Sequence, residues 1–232
     1  MQPAPVLALV FSGSVELVVA VLLTPIIVLL QRWLITVNCR SEKSPRNSFE
    51  ILWAIALLVA FLFFGFYQQN EFILFAPIFA FVVVILMVAA AAVDLTEYRL
   101  PDHLVIPTWI GSVIAIIAVA FSENETTRMT SALVSSGAAF ALLLLAHLIS
   151  PRGMGFGDVK AVAAMALPIG WIAGSIESAL VAMLWMFFVS FAIGSVLGGI
   201  LWLRHRKSTA LPFGPALVVG TIVVLSVQFI GG

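Results

Sequence analysis

A helix needs a run of about 20 apolar residues to cross the hydrocarbon core of a bilayer. This chain is built largely from such runs. Eight candidate spans can be read along it, at about 5–30, 50–67, 72–93, 103–122, 131–150, 158–173, 177–203 and 212–230. Hydrophobic residues make up 62% of the chain and charged residues 9%, against about 25% charged in an ordinary soluble domain. A folded monomer of that composition does not stay in water. The reading is therefore an all-α polytopic membrane protein of about eight transmembrane helices. The sixth run is the weakest, being short and interrupted by Pro168 and Gly170. The first run lacks a basic flank and is long for an h-region, so it reads as a span rather than a cleavable signal peptide.

Charge then sets the orientation, because Lys and Arg in short loops favour the cytoplasmic side. Arg32, Arg40, Lys43, Arg46, Arg99, Arg152, Lys160, Arg204, Arg206 and Lys207 fall on one side of an eight-span arrangement, and Arg128 falls on the other. Both termini are then expected outside. The chain reads as one integral membrane domain. An N-terminal part, 1–71, holds two helices and the short basic loop 31–49, and a core occupies 72–232. Formal net charge is zero, so no bulk field points to nucleic acid. The chain has a single cysteine, Cys39, which excludes an intrachain disulfide and a multi-cysteine metal site. Gly194, Gly198 and Gly199 read as positions of close helix contact.

Ionisable residues near lipid carry the most information, since a charge at the centre of a span costs about 2.5–3.5 kcal/mol on insertion scales. Asp94 follows Ala89–Ala92 and Val93 and is expected to end the third span at the cytoplasmic border. The helix dipole opposes an anion there, so capping does not explain it. Asp158 follows Gly153, Gly155 and Gly157, opens the sixth span, and reads either as an N-cap or as a functional acid. Asp102, after Leu100 and Pro101, reads as the cap of the next span. Glu97, Arg99 and His103 read as a solvated polar turn. His147 reads as a hydrogen-bonded interfacial histidine, and Glu16 lies in the middle of the first span. Asp94 and Asp158 share a topological position. Two carboxylates brought together can share one proton, one acting as general base on water and the other polarising a peptide carbonyl.

Gly155-Phe156-Gly157-Asp158, followed by Val159-Lys160, resembles the GxGD element of the type IV prepilin leader peptidases. Asp94-Leu95 with Leu100-Pro101-Asp102 resembles that family's first aspartate block, and Leu211-Pro212-Phe213-Gly214-Pro215 its third element. The resemblance covers about residues 90–220. It implies an intramembrane aspartic endopeptidase that needs no cofactor and removes the short basic leader of prepilin-like or pseudopilin precursors, cutting after a glycine at the cytoplasmic face of the cell membrane. Asp94 and Asp158 match the catalytic pair. Gly155, Gly157, Lys160, Pro101, Asp102, Pro212, Gly214 and Pro215 stand as substrate-binding or supporting positions. Bifunctional members also carry paired CxxC motifs that bind zinc, and they methylate the new N-terminus with S-adenosylmethionine. Cys39 alone cannot supply four thiolates, so a peptidase without that zinc site or methyl transfer is expected. Two other readings compete. One is a small proton-coupled transporter relaying through Glu16, Asp94 and Asp158. The other is an inactive relative that acts in assembly.

Overall fold

The computed structural model describes residues 75–151, 154–205 and 212–231, with isolated positions at 29, 33 and 35–37. Six helices run through them: α1 Phe75–Glu97, α2 Asp102–Glu123, α3 Thr126–Ile149, α4 Phe156–Ala173, α5 Ile176–His205 and α6 Gly214–Gly231. Among the described residues there is no strand. Five of the helices are long and apolar enough to cross a membrane, and α6 is apolar over the shorter stretch Gly214–Phe229. The all-α class read from the sequence holds. The expected spans at 5–30 and 50–67, the greater part of the loop 31–49 with Cys39, and Glu16 lie outside the described residues, as does the placing of the termini.

The apolar residues form helices because only a helix satisfies its own backbone hydrogen bonds where water is absent. The outer faces of α2 and α3 stay apolar and open, with Ile114, Phe121, Leu145 and Ile149 exposed. Such a surface is a liability in water and matches hydrocarbon.

Helix α4 is the centre of the bundle and packs against each of the other five helices. From Asp158 to Trp171 every residue except Lys160 is buried. By length and by its Pro168 and Gly170 this segment is the weakest of the expected spans. Those features suit a central position. Ala161, Ala163, Ala164 and Ala166 let neighbouring backbones come close, which is how helices associate in lipid. At Gly170 a Cβ would stand 2.6 Å from the Ser131 carbonyl oxygen and 2.7 Å from the Ala132 Cα. Bare backbone there lets α3 lie directly on α4. The helix closes on Gly174 at φ 73°, a left-handed cap that glycine adopts without a Cβ penalty. Trp171 is fully buried and meets the Phe75 ring edge-on at 5.3 Å.

Of the small residues expected at close contacts in α5, Gly194 behaves so: a Cβ there would meet the Phe213 ring at 3.1 Å. Gly199 does not, because a Cβ there meets nothing within 4 Å. It comes late in α5 and is exposed.

The connections between consecutive helices from α1 to α5 are short, so the helices alternate in direction. The C-terminal end of α1 and the N-terminal ends of α2, α4 and α6 therefore gather at one end of the bundle, and the candidate site is built there.

Gly170→Ala is expected to push α3 off α4 and to destabilise the protein by about 1–3 kcal/mol, the usual cost of overpacking. Gly137→Ala, mid-helix where a Cβ meets nothing within 4 Å, is the control and should be neutral to stabilising by up to about 1 kcal/mol. Thermal unfolding of both variants in the same detergent checks the difference.

Candidate active site

Asp94 does not end its helix. α1 continues through it to Glu97, so the carboxyl projects from the last turn. The chain then reverses through Tyr98, whose amide donates to the Asp94 carbonyl at 2.9 Å and whose φ is 54°. A left-handed backbone at a non-glycine residue costs on the order of 1–3 kcal/mol and tends to occur at functional sites. Glu97, expected in a solvated turn, is largely buried, with 9% of its side chain exposed, and it pairs with Arg99 Nε at 2.7 Å.

The reversal delivers Leu100, Pro101 and Asp102. The expectation that Asp102 caps α2 is corrected: Pro101 occupies the N-cap, and Asp102 lies in the first turn without a side-chain capping bond. Proline has no N–H to lose there and its φ is already preset. The Asp102 carboxylate is therefore free of the capping role, and it forms an ion pair with Lys160 of α4.

The N-cap reading of Asp158 is corrected in the same way. Gly155 is the N-cap of α4, and Asp158 sits in the first turn. Its side chain folds back toward the glycines, so that a Cβ on Gly155 would lie 3.4 Å from Asp158 Oδ2. Asp158 is 7% exposed and Asp94 is 5% exposed. Asp94 lies against Gly214 and Asp158 follows Gly157, and both glycines close on the one side chain of Leu100, so the two acids border the same residue. Two acids 64 residues apart in number (158 − 94), on different helices, thus share one buried end of the bundle.

The third element completes the enclosure. The Gly214 amide, at the start of α6, donates to Asp94 Oδ2 at 3.1 Å. A Cβ on Gly214 would stand 2.8 Å from that same oxygen, so only glycine lets the backbone approach. The first turn of a helix has unpaired N–H groups that suit an anion. Pro212 and Pro215 flank this glycine, both half-buried.

Leu100, an ordinary member of the Leu100-Pro101-Asp102 motif, ties the three elements together. It is buried. A Cβ on Gly157 would meet its Cβ at 3.0 Å, and a Cβ on Gly214 would meet its Cδ2 at 3.4 Å. The signal that could have found it is complementarity: two glycines at different helix starts need one bulky apolar residue to fill the space they leave.

His147 Nδ1 donates to the Met154 carbonyl at 2.8 Å, the hydrogen-bonded histidine anticipated. A cavity of about 490 Å³ opens between α2, α3 and α4, lined by Val105, Trp109, Phe140, Lys160 and Ala163 among others. At 3.6 residues per turn, Lys160 and Ala163 lie on the face of α4 turned away from Asp158. That cavity is not where the carboxyls meet.

Comparison with known proteins bears on this arrangement. The profile of the type IV leader peptidase family matches residues 81–203, more than half of the 232-residue chain. The chain belongs to the type IV leader peptidase family. Asp94, Asp102, Gly155, Gly157, Asp158 and Lys160 all lie inside the matched stretch, and Gly214 follows it. The prepilin leader peptidase/N-methyltransferase of Aeromonas hydrophila is 31% identical over 144 residues, 60% of this chain and 46% of that protein. Its counterpart in Legionella pneumophila is 29% identical over 197 residues, 81% of this chain and 61% of that protein. The Xanthomonas campestris pv. campestris counterpart is 29% identical over 184 residues, covering 75% and 56%. The chain thus spans about half to three-fifths of the length of these relatives. No solved structure matches it.

Gly214→Ala is expected to lower the unfolding temperature, because its Cβ displaces the Asp94 carboxyl and breaks a buried hydrogen bond, at a cost of about 1–3 kcal/mol. In an Asp94→Ala background the colliding oxygen is gone, and the same change should cost less than about half as much. Equal costs in the two backgrounds would mean that the Gly214–Asp94 contact is not what the glycine serves.

Proposed function

We propose that this chain is an intramembrane aspartic endopeptidase that removes the leader of type IV prepilin-like or pseudopilin precursors. The observation that carries this reading is the meeting of Asp94 and Asp158, both buried, at one end of a membrane-type bundle. Membership of the type IV leader peptidase family supports it, as do relatives named for the prepilin leader peptidase activity.

The chemistry follows from what a pair of carboxyls can do when one is charged and the other protonated. The carboxylate takes a proton from a water molecule as that water's oxygen attacks the scissile carbonyl carbon. The protonated partner gives its proton to the carbonyl oxygen, forming a neutral gem-diol. On collapse, the C–N bond breaks, the leaving amine takes the proton held by the first carboxyl, and one gem-diol hydroxyl returns its proton to the second, leaving a carboxylic acid. Atoms and charge balance, and the pair is returned with one proton between them. Burial by Leu100 and the helix ends keeps bulk water from screening these transfers.

On this reading the site faces the cytoplasm. The basic residues assigned to one side from the sequence, Arg99 and Lys160 among them, are adjacent to it, and positive charge favours that side. A precursor would leave its apolar helix in the bilayer and present its basic leader in water. The core 72–232 would hold the peptidase, with 1–71 as an accompanying part. Methyl transfer is not assigned to this chain, since Cys39 alone cannot build a four-thiolate zinc site.

The test uses the full chain in lipid vesicles with a pseudopilin precursor, reading the product by mass spectrometry. Asp94→Asn and Asp158→Asn should each lower the cleavage rate by more than about a hundredfold, the scale of a lost general acid or base, while still inserting in the membrane. Cleavage at the parent's rate by either variant would remove the proposal.

A further inference from the structure

Beyond the two acids, a second charged pair sits at the same end of the bundle. Lys160 Nζ pairs with Asp102 across 58 residues of sequence. It also lies 5.2 Å from the centroid of the Phe156 ring, so the ammonium is oriented from two directions. The Asp102 side chain is 59% exposed and that of Lys160 22%. An exposed pair of this kind adds little to stability, so stability alone gives no reason for it. Its location does.

Asp102 begins α2 directly after the turn that follows Asp94. Lys160 stands two residues past Asp158, in α4. Gly157 and Lys160 are three residues apart and therefore share one face of α4's first turn. Leu100 packs on Gly157 while Asp102 holds Lys160. The segment Leu100–Asp102 thus grips α4 by an apolar contact at Gly157 and an ionic one at Lys160, while Asp158, two residues from Lys160, projects from the other side of the helix. The same turn is anchored at its other end by α1, which carries Asp94.

We infer that the Asp102–Lys160 ion pair is a positioning strut that sets the separation of the Asp94 and Asp158 carboxyls by fixing the first turn of α4 to the α1–α2 turn. The inference rests on the peptidase reading for its consequence, though not for its geometry. Neither residue touches the reacting atoms. Both act through the helix backbone, and small displacements of catalytic groups are costly: about 1 Å of misplacement can lose a hundredfold in rate.

The experiment compares Asp102→Asn, Lys160→Gln and the exchanged pair Asp102→Lys with Lys160→Asp, in the full chain in vesicles with the pseudopilin precursor. Each single variant should lower kcat by about tenfold or more while KM moves less than about twofold, and the exchanged pair should recover to within about threefold of the parent. Parental kcat in both single variants overturns the strut. So does an exchanged pair no better than the worse single variant, or a rise in KM at unchanged kcat, which marks a substrate contact instead. Hydrogen exchange of the peptide covering 154–161 provides a readout independent of cleavage. Asp102→Asn should speed its exchange, and an unchanged rate overturns the strut. Should the parent chain fail to cleave, the peptidase reading falls by itself, and hydrogen exchange still decides the strut.

Discussion

Two carboxyls placed among apolar helices must be held, or they will drift toward water. The Gly214 amide on Asp94 is the contact that does this, and most of the site depends on it. It needs a helix that begins at that oxygen and a residue with no side chain at the contact point. α6 supplies both, and it brings Pro212 and Pro215 to fix the approach of the chain. Leu100 then has a second glycine surface to pack on besides Gly157. Removing the bare backbone at 214 would disturb Asp94 first and, through Leu100, the seat of α4.

The same economy of side chains organises the bundle. α4 is central because it is narrow: its alanines and Gly170 let five neighbours close around it. A helix built from large residues could not be approached from so many directions. Asp158 is therefore embedded at the start of the helix that, among the described residues, packs against all the others. Asp94 sits on α1, whose final turn is fixed by the left-handed Tyr98. Rigid elements on both sides suit a site that must hold two acids at a set separation.

Much of this was legible in the sequence. The helical class followed from apolar runs, and five of the expected spans correspond to long apolar helices. Asp94 and Asp158 could be singled out because acids are conspicuous against such a background, and Gly214 through the resemblance of Leu211–Pro215 to a family element. The local roles were harder. Asp158 and Asp102 both read as caps by residue type, whereas Gly155 and Pro101 take those positions; Asp102 is left for Lys160, and Asp158 turns back on Gly155. Pro168 and Gly170 read as weakness in a span when they mark its central packing. Glu97 read as solvated because nothing in one dimension shows that Arg99 folds back on it. Leu100 is a leucine in a leucine-rich chain, and its place between two glycines exists only once three helix ends meet. What one dimension lacks in each case is the identity of the neighbour.

The central claim is that Asp94 and Asp158 work as one proton-sharing unit. The pH dependence of kcat for precursor cleavage in vesicles tests it most directly. A unit that needs one charged and one protonated carboxyl predicts a bell: the rate falls on the acid side as the base is protonated, and on the alkaline side as the acid ionises. A rate that stays level across the acid range, down to where the bilayer and the fold still hold, would contradict it.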